Sequence, residues 1–219
     1  MEVSPPRTQI RPELWLDARL ALWAARLQLL VIADIHWGYA ASHRAQGNLL
    51  PLWGDEEIAG RLDSLVRDYQ PREMLWLGDS VHTPAGRGAA EAYLERAAVP
   101  ITIVAGNHDR AWKRTMSPAE QRGGFYLHHG DVDRTPPENS VEIVGHHHPA
   151  VTWRDGAGGR LKLPALVESA RRLILPAFSP WAAGAPWNTR LSSADRLWGI
   201  APRRIIPFTA AQLGVVLSA

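Results

Sequence analysis

Five short apolar runs of the chain each end in residues that carry carboxylate, amide or imidazole groups. The run at 101–104 is the clearest, because Asn107, His108 and Asp109 follow it directly. Short apolar runs of this kind are typical of buried strands. Ligands of α/β sheets bind beyond the carboxyl ends of the strands, so these groups are predicted to meet at one rim. The five polar blocks are Asp34/His36, Asp79, Asn107/His108/Asp109, His128/His129 and His146/His147/His148.

The chemistry of these blocks predicts a metal site with oxygen and nitrogen ligands. The chain contains no cysteine, so disulfides and thiolate ligands are excluded. Carboxylate, amide and imidazole groups together suit Mn²⁺, Fe or Zn²⁺. Two such ions about 3.5–4 Å apart can clamp the attacking and leaving oxygens of an in-line displacement, and one carboxylate is then expected to bridge them.

The five blocks resemble, in order, the pattern of the calcineurin-like metallophosphoesterase superfamily: D-x-H, G-D, G-N-H-(D/E), H and G-H-x-H. They extend from residue 34 to residue 148. The resemblance implies an α/β fold, namely a four-layer αββα sandwich of two mixed β-sheets flanked by helices. It also implies a binuclear phosphoesterase that hydrolyses phosphodiester bonds by a hydroxide bridging the two metals.

The resemblance implies a role for each block. His108 would act at the leaving-group oxygen, as general acid or as charge stabiliser. Asp109 would hold the His108 imidazole by a hydrogen bond and raise its pKa. The implied metal ligands are Asp34, His36 and His148 for the first ion, Asn107, His129 and His146 for the second, and Asp79 as the bridge.

Some neighbouring positions leave alternatives open. His128 and His129 compete for one ligand place, and the superfamily's His-Gly pairing favours His129, which precedes Gly130. His82 either orients a ligand or a phosphate or is an ordinary, partly buried histidine. Together with Arg44 and Arg110 it forms the predicted substrate-binding set. His43, in the loop after the first block, is interpreted as solvated.

A closer resemblance is to bacterial phosphoesterases described as ligase-associated DNA-damage-response endonucleases. It rests on residues 34–38, 78–82, 145–149 and 173–178, and Tyr39 stands where that group usually has lysine. The implied partner is a phosphodiester substrate, either single-stranded DNA or nucleotides. The alternatives are a hydrolase of another small phosphoester or pyrophosphate and, from a different class, a non-catalytic scaffold. The intact ligand set and His108 argue against the scaffold.

The remaining predictions concern organisation and location. Residues 1–12 contain three prolines and are predicted to be a loose tail, and residues 13–219 a single metallophosphoesterase domain. No run approaches the roughly 20 apolar residues of a membrane span, and the first residues lack an apolar signal-peptide core, so a cytoplasmic protein without a membrane partner is predicted. Oligomeric state is not predicted.

Strands are expected at 14–16, 20–23, 27–33, 73–77, 101–105, 125–129, 141–145, 150–154, 160–167, 172–175, 196–199 and 203–207, and helices at 55–69 and 89–98.

The ten tryptophans and the formal charge of +2 bear on the partner. Tryptophan rings can stack on the bases of single strands, and four that lie near the motifs are candidates, although burial in the core is the simpler interpretation. The small net charge permits a phosphate-rich partner without requiring one. The four candidates are Trp37, Trp112, Trp181 and Trp187, and the basic residues near the strand ends are Arg44, Arg87, Arg110, Lys113 and Arg114.

Overall fold

The apolar runs form strands of two β-sheets in the computed structural model, which describes residues 5–154, 157–182 and 184–213. The first sheet has six strands in the order β1 to β6. The pairs β1–β2, β2–β3 and β3–β4 are antiparallel, whereas the pairs β4–β5 and β5–β6 are parallel. The strands are β1 (Arg7–Arg11), β2 (Leu14–Asp17), β3 (Ala21–Ala24), β4 (Leu29–Ile32), β5 (Glu73–Leu77) and β6 (Ile101–Val104).

The second sheet is also mixed and follows the path β13-β10-β11-β12-β9-β8-β7, with β14 pairing with β11 and with β15. The pairs β8–β9 and β9–β12 are parallel. The strands are β7 (Glu120–Arg122), β8 (Phe125–His128), β9 (Val141–Val144), β10 (Pro149–Arg154), β11 (Arg160–Glu168), β12 (Arg172–Ile174), β13 (Ala185–Pro186), β14 (Arg196–Ala201) and β15 (Arg204–Thr209).

The central strands of the first sheet are buried on both faces, which explains why they are apolar without alternation. Successive side chains of a strand point to opposite faces. One set packs against the second sheet and the other packs against helices. The first set includes Leu29, Val31, Leu75 and Leu77, and the second set includes Leu30, Ile32, Met74 and Trp76.

Two longer helices cover the outer face of the first sheet, and a short one precedes them: α1 (Tyr39–Ala45), α2 (Gly54–Tyr69) and α3 (Arg87–Arg96). The helix α2 buries Ile58, Leu62 and Leu65 at the spacing of one helical face. The outer face of the second sheet is covered by loop residues such as Trp187 and Leu191. This arrangement confirms the predicted α/β sandwich of two mixed sheets.

Two local predictions differ from the structure. The helix predicted to begin at Asp55 begins at Gly54, and the Asp55 carboxylate accepts a hydrogen bond from the Gly38 N–H at 3.0 Å. Residues 1–12 were expected to be a loose tail, but residues 7–11 form β1 and pair with β2. Only Ile10 of β1 is buried, so the sequence of this edge strand carries little apolar signal; residues 1–4 lie outside the described residues.

The other strand and helix predictions agree with the structure to within a few residues at each end. The extent of the domain, residues 13–219, stays a prediction. In the part of the chain that the structure describes, no helix has the length and apolar character needed to cross a membrane.

Candidate metal centre

The carboxyl ends of five strands deliver the predicted ligands to one rim of the sandwich. The strands are β4, β5 and β6 of the first sheet and β8 and β9 of the second. Backbone hydrogen bonds join the loops beyond them: the His36 N–H donates to the Asp79 carbonyl at 2.9 Å, and the Gly145 N–H donates to the His129 carbonyl at 2.9 Å. The His146 N–H, beyond β9 of the second sheet, also donates to the Asp34 carboxylate, beyond β4 of the first, at 3.0 Å. The site therefore lies where the two sheets meet.

The first donor group contains Asp34, His36 and His148, whose ligand atoms all lie within 4.8 Å of one another. The Nε2 atoms of His36 and His148 are 3.3 Å apart. Nε2 of His148 is 3.1 Å from Oδ1 of the fully buried Asp34. Three groups with lone pairs thus converge on one small volume.

The second donor group contains Asp79, His129 and His146, and Asn107 completes it. Nε2 of His129 lies 3.2 Å from Oδ1 of Asn107 and 3.3 Å from Oδ1 of Asp79. Nδ1 of His129 lies 3.1 Å from the Leu77 carbonyl. A carbonyl can only accept, so Nδ1 donates its hydrogen there and Nε2 is the ring nitrogen that faces Asn107 and Asp79.

These donor separations fit divalent cations. Metal–ligand bonds of about 2.0–2.2 Å at tetrahedral angles place neighbouring ligand atoms about 3.3 Å apart. The Nε2–Nε2 distance of 3.3 Å between His36 and His148 matches that value. Two imidazoles turned nitrogen to nitrogen make no favourable contact without a hydrogen or a cation between them.

Electrostatics favour positive charge at the same place. Burial opposes ionisation of Asp79, but its hydrogen bond with His129 outweighs this and lowers its pKa to about 2. Burial, followed by the neighbouring histidines, lowers the pKa of His36 to about 3, against the pull of Asp79. At neutral pH the first is a carboxylate and the second a neutral imidazole, the forms in which each binds a metal. Burial also opposes protonation of His129, yet its contacts with Asp79 and Asp34 raise its pKa to about 9.

The backbone at the rim adopts an uncommon conformation. Non-glycine residues rarely have positive φ, yet five of the predicted ligands do. Such residues cluster at functional sites, where the surrounding structure holds them in place. The five are Asp34 (55°), His36 (54°), Asp79 (47°), His146 (63°) and His148 (44°).

Two motif glycines leave room for the buried carboxylates. A Cβ at Gly145 would lie 2.6 Å from Oδ2 of Asp34, and a Cβ at Gly106 would overlap the backbone nitrogen and the carboxylate of Asp79. Any side chain at these positions therefore displaces a predicted ligand. The G-N-H and G-H-x-H blocks therefore need glycine because a larger residue would overlap a buried carboxylate.

The substitution Gly106→Ala is expected to destabilise the protein by about 1–3 kcal/mol, as overpacking does, and to reduce the amount of bound metal because Asp79 must move. Metal analysis and thermal unfolding measure both effects. Gly124→Ala is the matched control, because a Cβ there has no atom within 4 Å. Equal metal content in the two variants would contradict this account of Gly106.

His108 and His82 lie beside the donor groups. Nδ1 of His108 is 2.8 Å from the His82 carbonyl, and Nε2 is 3.9 Å from Oδ2 of Asp79. The two rings stack with centroids 5.0 Å apart. Nδ1 of His82 lies 3.4 Å from Nδ1 of His36, so the orienting role considered for His82 has a geometric basis.

The structure corrects the expectation for Asp109. This fully buried carboxylate accepts hydrogen bonds from the backbone N–H groups of Ser80, Val81 and Gly106, at 3.2, 3.0 and 3.0 Å. It therefore ties the loops after β5 and β6 together instead of holding the His108 imidazole. The predicted partner was wrong because the carboxylate turns inward, towards three backbone donors.

The two predicted substrate arginines are exposed and lie outside the donor groups. The Arg44 guanidinium donates to the Leu50 carbonyl at 3.1 Å. Arg110 is 76% exposed and lies 3.8 Å from Asp131. Neither contact brings the guanidinium to a predicted ligand.

Three histidines near the motifs have other surroundings. Nε2 of His128 contacts Glu142 at 2.7 Å, on the side away from the site, which favours His129 as the ligand. The ring of His147 packs against Trp187. His43 is not simply solvated, because its ring stacks on Tyr39 with centroids 4.4 Å apart. Sequence reasoning missed this pair, since only the spacing of four residues on a helix that was not predicted would have indicated it.

Comparisons with known proteins agree with this geometry. The family model for calcineurin-like phosphoesterases matches residues 27–185, more than half of the chain and all the predicted ligands. The crystal structure of the Pseudomonas putida nuclease MPE is similar, with 27% sequence identity and a TM-score of 0.72, over 94% of this chain and 100% of that chain. No curated protein matches the sequence.

Proposed function

The chain belongs to the calcineurin-like phosphoesterase family and is a metal-dependent phosphoesterase, and we propose that it cleaves phosphodiester bonds of single-stranded DNA or nucleotides. The observation that carries the proposal is the pair of neighbouring donor groups, one formed by Asp34, His36 and His148 and the other by Asp79, His129 and His146. The similar Pseudomonas putida protein is a nuclease, which supports a nucleic-acid substrate. A cytoplasmic role in DNA repair, which the closer sequence resemblance implies, is part of the proposal.

We assign two divalent ions to the site, Mn²⁺ in preference to Fe or Zn²⁺, on the basis of the oxygen and nitrogen donors. The donor separations fit divalent cations. When bound, the ions supply Lewis-acid stabilisation of the phosphoryl charge and a nucleophile at neutral pH. The residues that would hold them are Asp34, His36 and His148 for the first ion, Asn107, His129 and His146 for the second, and Asp79 for both.

His108 is assigned to the leaving-group oxygen. Its Nδ1 carries a hydrogen, because the His82 carbonyl 2.8 Å away can only accept. Nε2 therefore faces the site, and when protonated it can give its proton to the departing oxygen. The side chain is 35% exposed, so a substrate can reach it.

The direct test uses a bis-aryl phosphodiester and single-stranded DNA side by side, each with Mn²⁺. Hydrolysis of both is expected. Turnover of a pyrophosphate or a phosphomonoester, with neither diester hydrolysed, would instead support the small-molecule hydrolase.

A second expectation concerns DNA binding. If Arg110 contacts a phosphate at the rim, Arg110→Glu should weaken binding of single-stranded DNA and reduce the slope of log K against log salt by about 0.7. Hydrolysis of the small diester should be unchanged. Fluorescence anisotropy of a labelled strand at several salt concentrations measures the slope.

Arg67→Glu is the matched control. Arg67 is 69% exposed and pairs weakly with Asp68 at 3.5 Å, much as Arg110 pairs with Asp131. It lies in the last turn of α2, which leads into the amino end of β5, at the opposite edge of the sheet. Equal salt slopes for the two variants would show that Arg110 does not contact the bound strand.

A further inference from the structure

An aromatic surface extends outward from the proposed catalytic histidines. Tyr39 begins α1, and its ring stacks on that of His43 one turn later, with centroids 4.4 Å apart and an interplanar angle of 24°. His82 packs against both, at 4.5 Å from Tyr39 and 5.7 Å from His43. We call Tyr39, His43 and His82 the ring wall.

The ring wall is continuous with the site. The His82 ring stacks on His108 with centroids 5.0 Å apart, and it lies 5.2 Å from the ring of His36. Tyr39 is therefore separated from the proposed leaving-group histidine by a single ring. A phosphodiester held beside His108 would place its adjoining nucleoside next to this wall.

The ring wall is not needed to fold α1. That helix is buried through Ala40 and Ser42, whereas Tyr39 and His43 are partly exposed and belong to none of the three apolar clusters of the described residues. The His43 ring is held by the side-chain amide of Asn48 at 3.4 Å. Partly exposed and fixed aromatic rings are suited to contact a planar ligand.

Charge on the same helix fits a nucleotide ligand. Arg44 is exposed, and its guanidinium donates to a backbone carbonyl, so the charge is not neutralised by that contact. Surfaces that bind single strands combine aromatic rings for the bases with positive charge for the backbone. The ring wall and Arg44 bring both features to the edge of the site.

We propose that the ring wall stacks the nucleobase next to the scissile phosphodiester. This inference rests on the proposed function and narrows its substrate, because a base can stack on the wall only when it is not paired. The substrates are then single strands and nucleotides that carry a base at this position, and duplexes are excluded.

The test uses end-labelled single-stranded oligonucleotides in which one abasic unit is placed at each position in turn, with Mn²⁺ present. For the wild type, cleavage at the bond beside the abasic unit is expected to be about 5- to 150-fold slower, the factor that stacking of one base contributes. Tyr39→Leu should slow cleavage of the intact strand by a similar factor and abolish the difference. Tyr39→Phe, which keeps the ring, should behave as the wild type.

Two further variants test whether the effect comes from the ring wall. His43→Leu should reduce the same difference, which supports the proposal even if Tyr39→Leu fails to fold. Trp153→Leu is the control, because that exposed ring lies on β10, five residues beyond His148, and it should leave the difference intact. Equal slowing of intact and abasic strands by Tyr39→Leu would show that the ring wall does not stack a base.

Two results would separate an error in the ring wall from an error in the proposed function. If the wild type cleaves intact and abasic strands at equal rates, the ring wall is wrong and the proposed nuclease function stands. If it hydrolyses the bis-aryl diester but neither an oligonucleotide nor a nucleotide diester, both the proposed function and the ring wall are wrong.

Discussion

The substitution Asp79→Asn is expected to reduce bound metal from two equivalents to one or fewer and to lower the hydrolysis rate at least about 10²-fold. In the proposed site both ions share this carboxylate, which is charged at neutral pH, since its pKa is held at about 2. An amide of the same shape lacks that charge. The loss of Lewis-acid stabilisation, worth several kcal/mol, accounts for the expected rate.

The control for this substitution is Asp17→Asn. Asp17 is also a buried carboxylate, but its partners are Arg19 and Tyr69, neither of which is a predicted ligand. This variant should be less stable and yet retain two equivalents of metal. Two equivalents retained by Asp79→Asn as well would reject the bridging role.

The substitution His108→Ala is expected to lower kcat by about 10²–10⁴-fold, the range of general acid–base catalysis, with metal content intact. The loss should shrink as the pKa of the leaving group falls, because a good leaving group departs without a proton. A series of aryl diesters of graded leaving-group pKa measures this dependence.

His108→Asn separates proton donation from positioning. Its side-chain amide can replace the Nδ1 hydrogen bond to the His82 carbonyl but offers no acidic proton. It should therefore be as slow as His108→Ala for poor leaving groups. The same loss for good and poor leaving groups in both variants would leave electrostatic stabilisation as the only role of His108.

The candidate ligands could be predicted from the sequence because each lies close in the chain to the strand that positions it. Each block follows an apolar run directly, and parallel strands bring their carboxyl ends to one edge. The hydrogen bond from the His36 N–H to the Asp79 carbonyl joins the loops after β4 and β5 at this edge. Side-chain alternation also separates His128, which faces Glu142, from His129, which faces Asp79.

What could not be predicted depends on long-range partners. Strand β1 is fixed by pairing with β2 and by one buried side chain, Ile10. Asp109 turns to backbone donors on another loop, which no motif records. The stacked pair of Tyr39 and His43 requires a helix of only seven residues, too short to show a clear hydrophobic period.

The central claim is that the strand-end rim holds two divalent ions between seven named ligands. Anomalous diffraction from crystals grown with Mn²⁺ tests it most directly. The account predicts two peaks, one coordinated by Asp34, His36 and His148, the other by Asn107, His129 and His146, with Asp79 bound to both. A single peak, or peaks away from these residues, would contradict it.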